Sequence, residues 1–214
     1  VLKQAMSYAQ FKNNKQLNKT DGNKKSTIKM EKLEDAEWAG TAKSGQCSLI
    51  IVEGDSAKTS VMAGINELGR KKYGVFPIRG KMLNVRDASI AKVSANVEIT
   101  KLKTVLGLKQ DLKDISQLRY GRIIILTDAD VDGTHIKGLI INLFHHYWRD
   151  FLKESDFIQC WATPILKVEH KKKSELSVSF YSIDEFEKWK EQNKDNLSKY
   201  KDPHYYKGLG TSED

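Results

Sequence analysis

Two aliphatic runs, each ending in carboxylates, most constrain what this chain can fold into. The runs and the acids that follow them are residues 49–52 with Glu53, and residues 123–126 with Asp128, Asp130 and Asp132. Short aliphatic runs of this kind are typical of strands buried on both faces, as in a parallel sheet. The carboxyl ends of neighbouring parallel strands open onto one crevice, where ligands bind. We therefore expect the two acidic segments to meet there.

Strands and helices are predicted to alternate along the chain. The predicted strands cover residues 47–53, 73–78, 122–127, 157–168 and 175–181, and the predicted helices cover 56–69, 96–109, 133–152 and 183–192, with Asp55 or Ser56 as the cap of the first. Such alternation with short connections indicates an α/β fold with a mainly parallel central sheet flanked by helices. Residues 1–13 are predicted to form a short helix, and the polar composition of 12–35 is typical of a linker or flexible arm. We divide the chain into an arm at 1–44 and a globular domain at 45–214.

Four or five carboxylates in one crevice repel each other unless a cation joins them. Carboxylate oxygens suit Mg²⁺, which completes its shell with water and phosphate oxygens. A pair of metal ions would need a shared carboxylate, for which Asp128 is the candidate. Gly133 permits the turn into the next helix, whose N-terminus favours a phosphate.

Three other interpretations of these segments are weaker. An EF-hand loop that starts at Asp128 would need Glu at its twelfth position, where Leu139 stands. Residues 74–81 resemble a P-loop, but the glycine spacing is wrong and Met82 replaces the Ser or Thr. A solvated surface turn would explain one acidic cluster but not two at strand ends.

The basic residues predict a polyanionic partner. The formal net charge is +8, and a basic chain with an acidic pocket most often binds nucleic acid, although a lysine-rich surface also serves solubility. Segment 77–86 places Arg79, Lys81 and Arg86 around Gly80, where they would contact phosphates without reading sequence. The lysines at 171–173 are predicted to form a solvated hairpin tip.

The remaining reactive side chains favour structural roles. Cys47 and Cys160 lie in apolar stretches, which predicts buried thiols and no disulfide. Of the three histidines on the long predicted helix, only His135 is close enough to the aspartates to contact a phosphate. No stretch approaches the roughly 18 apolar residues of a membrane span, so no membrane partner is expected.

Four motifs together resemble a known family. E-G-D-S-A at 53–57 and D-x-D-x-D-G at 128–133 resemble the signature of the Toprim domain. P-I-R-G-K-M-L-N-V-R at 77–86 and Y-Y-K-G-L-G-T at 205–211 resemble type IIA DNA topoisomerases, and K-L-E-D-A-E-W-A-G-T at 32–41 is similar to their eukaryotic and viral branch. Ala129 and Val131 depart from that branch, which usually has Gln there, and are more like bacterial gyrase.

The resemblance implies a Rossmann-like Toprim fold and a set of site residues. Glu53, Asp128, Asp130 and Asp132 would be catalytic, and Glu53, Asp128 and Asp130 would bind Mg²⁺, with Mn²⁺ or Ca²⁺ able to substitute. Glu53 would also act as general acid for the leaving 3′ oxygen. The residues implied to bind DNA are Arg79, Lys81, Asn84, Arg86, His135 and Lys207. A drug pocket would be lined by Asp55, Arg79 and Gly80.

For the whole enzyme, the resemblance implies an ATP-hydrolysing DNA topoisomerase that cleaves and religates double-stranded DNA. It would act as a homodimer in the nucleus or a viral replication compartment, with a winged-helix tyrosine from the partner subunit and ATP bound only by an ATPase domain. Both domains are expected outside these residues, so the chain alone is expected to be inactive. The competing hypotheses are a freestanding Toprim nuclease or primase and a non-catalytic DNA-binding or scaffold module.

Overall fold

A four-stranded parallel sheet forms the centre of the molecule. The computed structural model describes residues 2–154 and 156–206. The strands are β1 (Ser48–Glu53), β2 (Tyr73–Ile78), β3 (Arg122–Leu126) and β4 (Ile158–Cys160). They lie in the order β2-β1-β3-β4, and every neighbouring pair is parallel. The predicted α/β class and parallel central sheet are confirmed.

Helices cover both faces of this sheet. They are α1 (Leu2–Asn18), α2 (Gly54–Leu68), α3 (Ile90–Ala95), α4 (Val97–Leu106) and α5 (Val131–Tyr147). Alternate residues of β1 enter two different apolar clusters, since side chains of a strand point to opposite faces. Leu49 and Ile51 pack in the larger cluster, which includes residues of α3, α4 and α5, whereas Ile50 and Val52 pack with Ile65 of α2. None of the described helices has the length and apolar character needed to cross a membrane.

A smaller antiparallel sheet follows the central one. It consists of β5 (Leu166–Val168), β6 (Val178–Phe180) and β7 (His204–Tyr205), in the order β6-β5-β7, and α6 (Ile183–Gln192) packs on it. Its core contains Leu166, Val168, Phe180 and Phe186, with Trp189 packed against them. The lysines at 171–173 lie exposed between β5 and β6, so the predicted hairpin tip is confirmed.

Several predicted elements have different limits in the structure. The single strand predicted over 157–168 is divided into β4 and β5, which belong to different sheets; Pro164, which lacks an N–H, lies between them. Helix α3 was not predicted, and α5 ends at Tyr147 before a 3₁₀ turn at Arg149–Lys153. Neither Asp55 nor Ser56 caps α2, because that helix already begins at Gly54.

The two cysteines differ in exposure. Cys47 is buried, as predicted, and burial raises the pKa of its thiol. The prediction for Cys160 is wrong, since its side chain is exposed. It is the last residue of β4, an edge strand of three residues, so packing on both faces does not extend to it.

Several residues of 17–39 pack on the core, whereas the composition of 12–35 predicted a linker or flexible arm before compact structure near residue 45. Leu17, Ala36 and Ala39 are buried in the main apolar cluster. Glu34 pairs with Val75 through two backbone hydrogen bonds of 2.8 and 2.9 Å, which extends the sheet at the open edge of β2. We call residues 19–44 the strap.

Polar contacts to Arg119 and Tyr120 hold the strap. The fully buried Arg119 guanidinium pairs with Asp35 and donates to the carbonyl oxygens of Lys25 at 2.6 Å and Val105 at 2.8 Å. Tyr120 donates to Asp35, and its hydroxyl accepts from Ala36 N at 3.1 Å. These buried groups are satisfied by one another, which explains how a polar segment stays packed.

We expect Arg119→Met to lower the free energy of unfolding by about 3–5 kcal/mol, because it leaves Asp35 without its buried cation. Urea denaturation of the full chain measures this loss. Arg122→Met is the matched control, since the Arg122 ion pair with Asp156 is solvent-exposed and should contribute at most about 1 kcal/mol. Equal losses for the two variants would contradict the proposed role of Arg119.

Candidate metal and DNA site

Strand register brings the predicted acidic residues to one edge of the central sheet. Val52 of β1 lies opposite Leu126 of β3, so Glu53 is level with the start of segment 127–133. On the other side, Glu53 lies opposite Ile78, the last residue of β2. Side chains that follow β1, β2 and β3 therefore surround one crevice.

Segment 127–133 turns directly into α5. Asp130 Oδ1 accepts a hydrogen bond from Gly133 N at 2.7 Å and caps the helix, a common role for Asp. The buried Thr127 hydroxyl donates to Gly133 O at 3.0 Å. A Cβ on Gly133 would overlap the Asp128 carbonyl oxygen, so this close approach requires glycine.

The conformation of segment 127–133 differs from the extended one that was predicted. The spacing of two was expected to place all three aspartates on one side of an extended segment. Instead Val131 already begins α5, and Asp132 belongs to its first turn. The three aspartates occupy a loop, a cap position and a helical turn, so their spacing does not set their directions.

Charge repulsion links Glu53 to the aspartate segment. Partial burial raises the pKa of Glu53 above its ordinary value of 4.5, and the negative charges of Asp128, Asp130 and Asp132 raise it further. Repulsion of this kind is strongest between groups that are close in space. Residues that are 75 positions apart in sequence thus share one electrostatic environment, as the two strand ends predicted.

Lys81 partly neutralises this cluster. Its Nζ lies 2.7 Å from Asp132 Oδ1, and this hydrogen bond lowers the pKa of Asp132. The same ammonium group opposes the upward shift of the Glu53 pKa. The cation that was predicted to contact DNA therefore contacts the acidic residues in this structure.

The rest of segment 79–86 extends from α2 towards α5. At one end, the charge of Arg79 contributes to lowering the pKa of Asp55, after the larger effect of the hydrogen bond from Lys32. At the other end, Asn84 Oδ1 accepts a hydrogen bond from Asn142 Nδ2 at 2.8 Å. Arg79, Lys81, Asn84 and Arg86 are all exposed.

The other predicted site residues have different positions. Gly80 has φ of +61°, and a Cβ there would meet nothing within 4 Å, so the backbone conformation alone favours glycine. His135 also contributes to lowering the pKa of Asp132, which places this exposed histidine near the cluster. Lys207 lies outside the described residues.

Sequence reasoning missed two residues of this site. Lys32 pairs with Asp55 from within the strap. It is the first residue of the motif at 32–41, but the motif alone did not indicate a contact with the site. Asn142 was detectable, because it follows His135 by two helical turns on α5 and so shares its face.

The carboxylates are not arranged as a finished metal site. Within residues 2–154 and 156–206, no group of three or more His, Cys, Asp or Glu side chains has a metal-binding arrangement. Asp130 caps α5 and Asp132 pairs with Lys81, so both would have to exchange contacts to become ligands. Their assignment as metal ligands stays a prediction.

Two profiles of known protein families match this chain. The profile of the Toprim domain matches residues 48–165, which include Glu53 and all three aspartates. The chain belongs to the Toprim domain family. A second profile, the C-terminal associated domain of TOPRIM, matches residues 161–214 and covers the antiparallel sheet of this Toprim chain. The predicted single unit at 45–214 thus takes in two family segments.

Relatives of this Toprim chain are named DNA topoisomerase 2. The protein of Arabidopsis thaliana is 48% identical over 99% of this chain, and that of Acanthamoeba polyphaga mimivirus is 49% identical over 100%. A solved Plasmodium falciparum topoisomerase II DNA-binding, cleavage and re-ligation domain superposes with a TM-score of 0.75 at 49% identity, covering 88% of this chain and 25% of that one. The resemblance to the eukaryotic and viral branch is confirmed. The chain spans only 14% and 17% of the first two relatives.

We expect Glu53→Gln to raise the melting temperature of the full chain at neutral pH when a chelator removes divalent cations. The raised pKa of Glu53 means that its charged form is disfavoured in the folded state. The free energy of unfolding of the wild-type chain therefore falls as pH rises past 4.5 and Glu53 loses its proton. The difference from wild type should therefore vanish at pH values where Glu53 is protonated in both states. Thermal unfolding across a pH series measures it.

Glu175→Gln controls for the loss of one negative charge, because Glu175 is exposed in the hairpin between β5 and β6. Added Mg²⁺ should stabilise wild type more than Glu53→Gln. A lower melting temperature for Glu53→Gln than for wild type in chelator would contradict the repulsion.

Proposed function

We propose that this chain is the metal-binding module of an ATP-dependent type IIA DNA topoisomerase, acting in double-strand cleavage and religation. The observation that carries this proposal is the parallel register of β1 with β3, which brings Glu53, at the end of β1, level with the aspartate segment that follows β3. The relatives named DNA topoisomerase 2 support it. ATP would be bound by another domain, and the enzyme would act as a homodimer in the nucleus or a viral replication compartment.

The donor chemistry of the crevice suits a divalent cation. Glu53 and Asp128 would hold one Mg²⁺, Asp128 and Asp130 would hold a second, and Asp132 would support that shell. Such an ion would relieve the repulsion that raises the Glu53 pKa. When bound, it supplies positive charge at the scissile phosphate. Mn²⁺ or Ca²⁺ would occupy the same oxygen ligands.

Glu53 would also carry a proton. Before a cation binds, burial and the neighbouring negative charges favour the protonated form of Glu53. In cleavage, the deprotonated tyrosine of a winged-helix domain from the partner subunit would bond to the 5′ phosphate as the bond to the 3′ oxygen breaks. Glu53 would protonate that leaving oxygen. In religation, the Glu53 carboxylate would accept that proton again.

The basic segment would position the DNA backbone. Arg79 and Arg86 are exposed beside the acidic crevice, and Asn84 is held against α5 by Asn142. Lys81 would exchange Asp132 for a phosphate oxygen when DNA arrives, since both partners are anions. His135 and Lys207 are further proposed contacts. Asp55, Arg79 and Gly80 would line a pocket for drugs that trap the cleaved complex.

Two other functions make different predictions. A freestanding nuclease or primase requires the chain alone to cut strands or make primers with Mg²⁺ or Mn²⁺. A non-catalytic DNA-binding or scaffold module requires DNA affinity that is indifferent to divalent cations. The acidic crevice disfavours the scaffold, because repelling carboxylates at strand ends have no role in one. The relatives named DNA topoisomerase 2 favour the topoisomerase over a freestanding nuclease or primase.

In the intact enzyme, we expect Asp128→Ala to reduce DNA cleavage by on the order of 100-fold or more, while ATP hydrolysis stays near normal, because a ligand of the proposed cleavage site is removed. Plasmid cleavage and ATPase assays measure the two activities. Asp150→Ala is the matched control, since Asp150 is an exposed aspartate that lies beyond α5 and pairs with Lys153.

Normal cleavage by the Asp128→Ala enzyme would contradict the proposed function. Relaxation of supercoiled plasmid by the present chain alone would contradict the proposal that other domains supply the tyrosine and the ATP site. It would favour a freestanding enzyme.

A further inference from the structure

A second cavity lies at the opposite end of the central sheet from the acidic crevice. It has a volume of about 440 Å³ and is formed where α2 ends and β2 begins, with Trp38 of the strap on one side. Backbone hydrogen bonds of 3.1 Å from Glu37 and Trp38 to the carbonyl oxygens of Arg70 and Lys71 fix the strap there. The proposed cleavage chemistry uses none of these residues.

Lys71 and Lys72 line this cavity together with Arg70, which is paired with Glu34. The Nζ of Lys43 lies 4.3 Å from the Trp38 ring centroid and that of Lys72 lies 5.9 Å from it, which are cation–π distances. Among the described residues, no carboxylate is within ion-pair distance of Lys43, Lys71 or Lys72. The lining contains one acid, Glu37, so the positive charge of the rim is only partly offset.

The cavity also presents an apolar side chain. Leu68, the last residue of α2, is 73% exposed and lines the cavity. Covering an exposed leucine with an apolar group is favourable, because it removes apolar surface from water. A nucleic-acid backbone offers no such group, and an ammonium group already covers one approach to the Trp38 ring for base stacking.

We propose that this cavity is a docking site for a peptide segment of another protein that carries aspartate or glutamate beside a large apolar residue. Its carboxylates would pair with Lys71 and Lys72, and its apolar side chain would cover Leu68 and the edge of Trp38. Charge complementarity selects an acidic partner, and the exposed leucine selects one that is also apolar. We call this surface the Trp38 cavity.

Fluorescence anisotropy of the full chain with a labelled peptide of alternating aspartate and leucine tests the proposal. The double variant Lys71→Glu and Lys72→Glu should weaken binding by about tenfold or more, because two attractive charges become repulsive. Lys172→Glu with Lys173→Glu makes the same charge change at the exposed hairpin tip and should leave binding within about twofold of wild type.

Leu68→Ser provides a second variant that keeps every charge and alters only an exposed side chain. It should lower the affinity for the aspartate–leucine peptide by about tenfold. It should not change the weaker affinity for a peptide of alternating aspartate and serine. Equal affinity of the two peptides would overturn the proposal, because it would reduce the cavity to a general cation patch.

Three further results would also overturn it. The hairpin control could lose as much affinity as the cavity variant. Duplex DNA could displace the peptide from wild type and lose its own affinity in the cavity variant, which would assign the cavity to nucleic acid. The double variant at Lys71 and Lys72 could lose thermal stability with unchanged peptide affinity. That result would mean that these two lysines only stabilise the C-terminal end of α2.

Discussion

The parallel pairing of β1 with β3 is the constraint on which the rest of the site depends. Because Val52 lies opposite Leu126, Glu53 and the aspartate segment leave the sheet side by side, although they are far apart in sequence. A slip of one residue would turn Glu53 to the other face. Both apolar clusters prevent that slip, since alternate residues of β1 fill each of them. Ordinary core packing therefore sets the geometry of the proposed chemistry.

The strap has contacts near both ends of the central sheet. Asp35 anchors it through Arg119 and Tyr120, while Lys32 reaches Asp55 near the acidic crevice and Trp38 forms one side of the second cavity. The hydroxyl of Tyr120 fits only because Gly74 of β2 has no side chain to meet it. A polar segment that composition alone assigns to a linker thus connects the two surfaces proposed to have functions.

Much of this fold was predictable from short-range patterns. The three aliphatic strands and α6 were located within one or two residues, because burial on both faces and helical spacing leave strong signals. The strap, the division at Pro164 and the exposure of Cys160 were not, since each depends on a distant contact or on position within the sheet. The acidic crevice was predicted from strand ends, but the cap role of Asp130 and the pairing of Lys81 with Asp132 required coordinates.

The central claim is that Glu53 and the aspartate segment bind one divalent cation between them. Crystals of the chain grown with Mn²⁺ test it most directly, because anomalous scattering locates the ion independently of the protein atoms. The account predicts a peak between the carboxylates of Glu53 and Asp128 at metal–oxygen distances of about 2.0–2.3 Å, with Lys81 released from Asp132. A peak bound by the aspartates alone, with Glu53 directed away, or no peak in the crevice at saturating Mn²⁺, would contradict it.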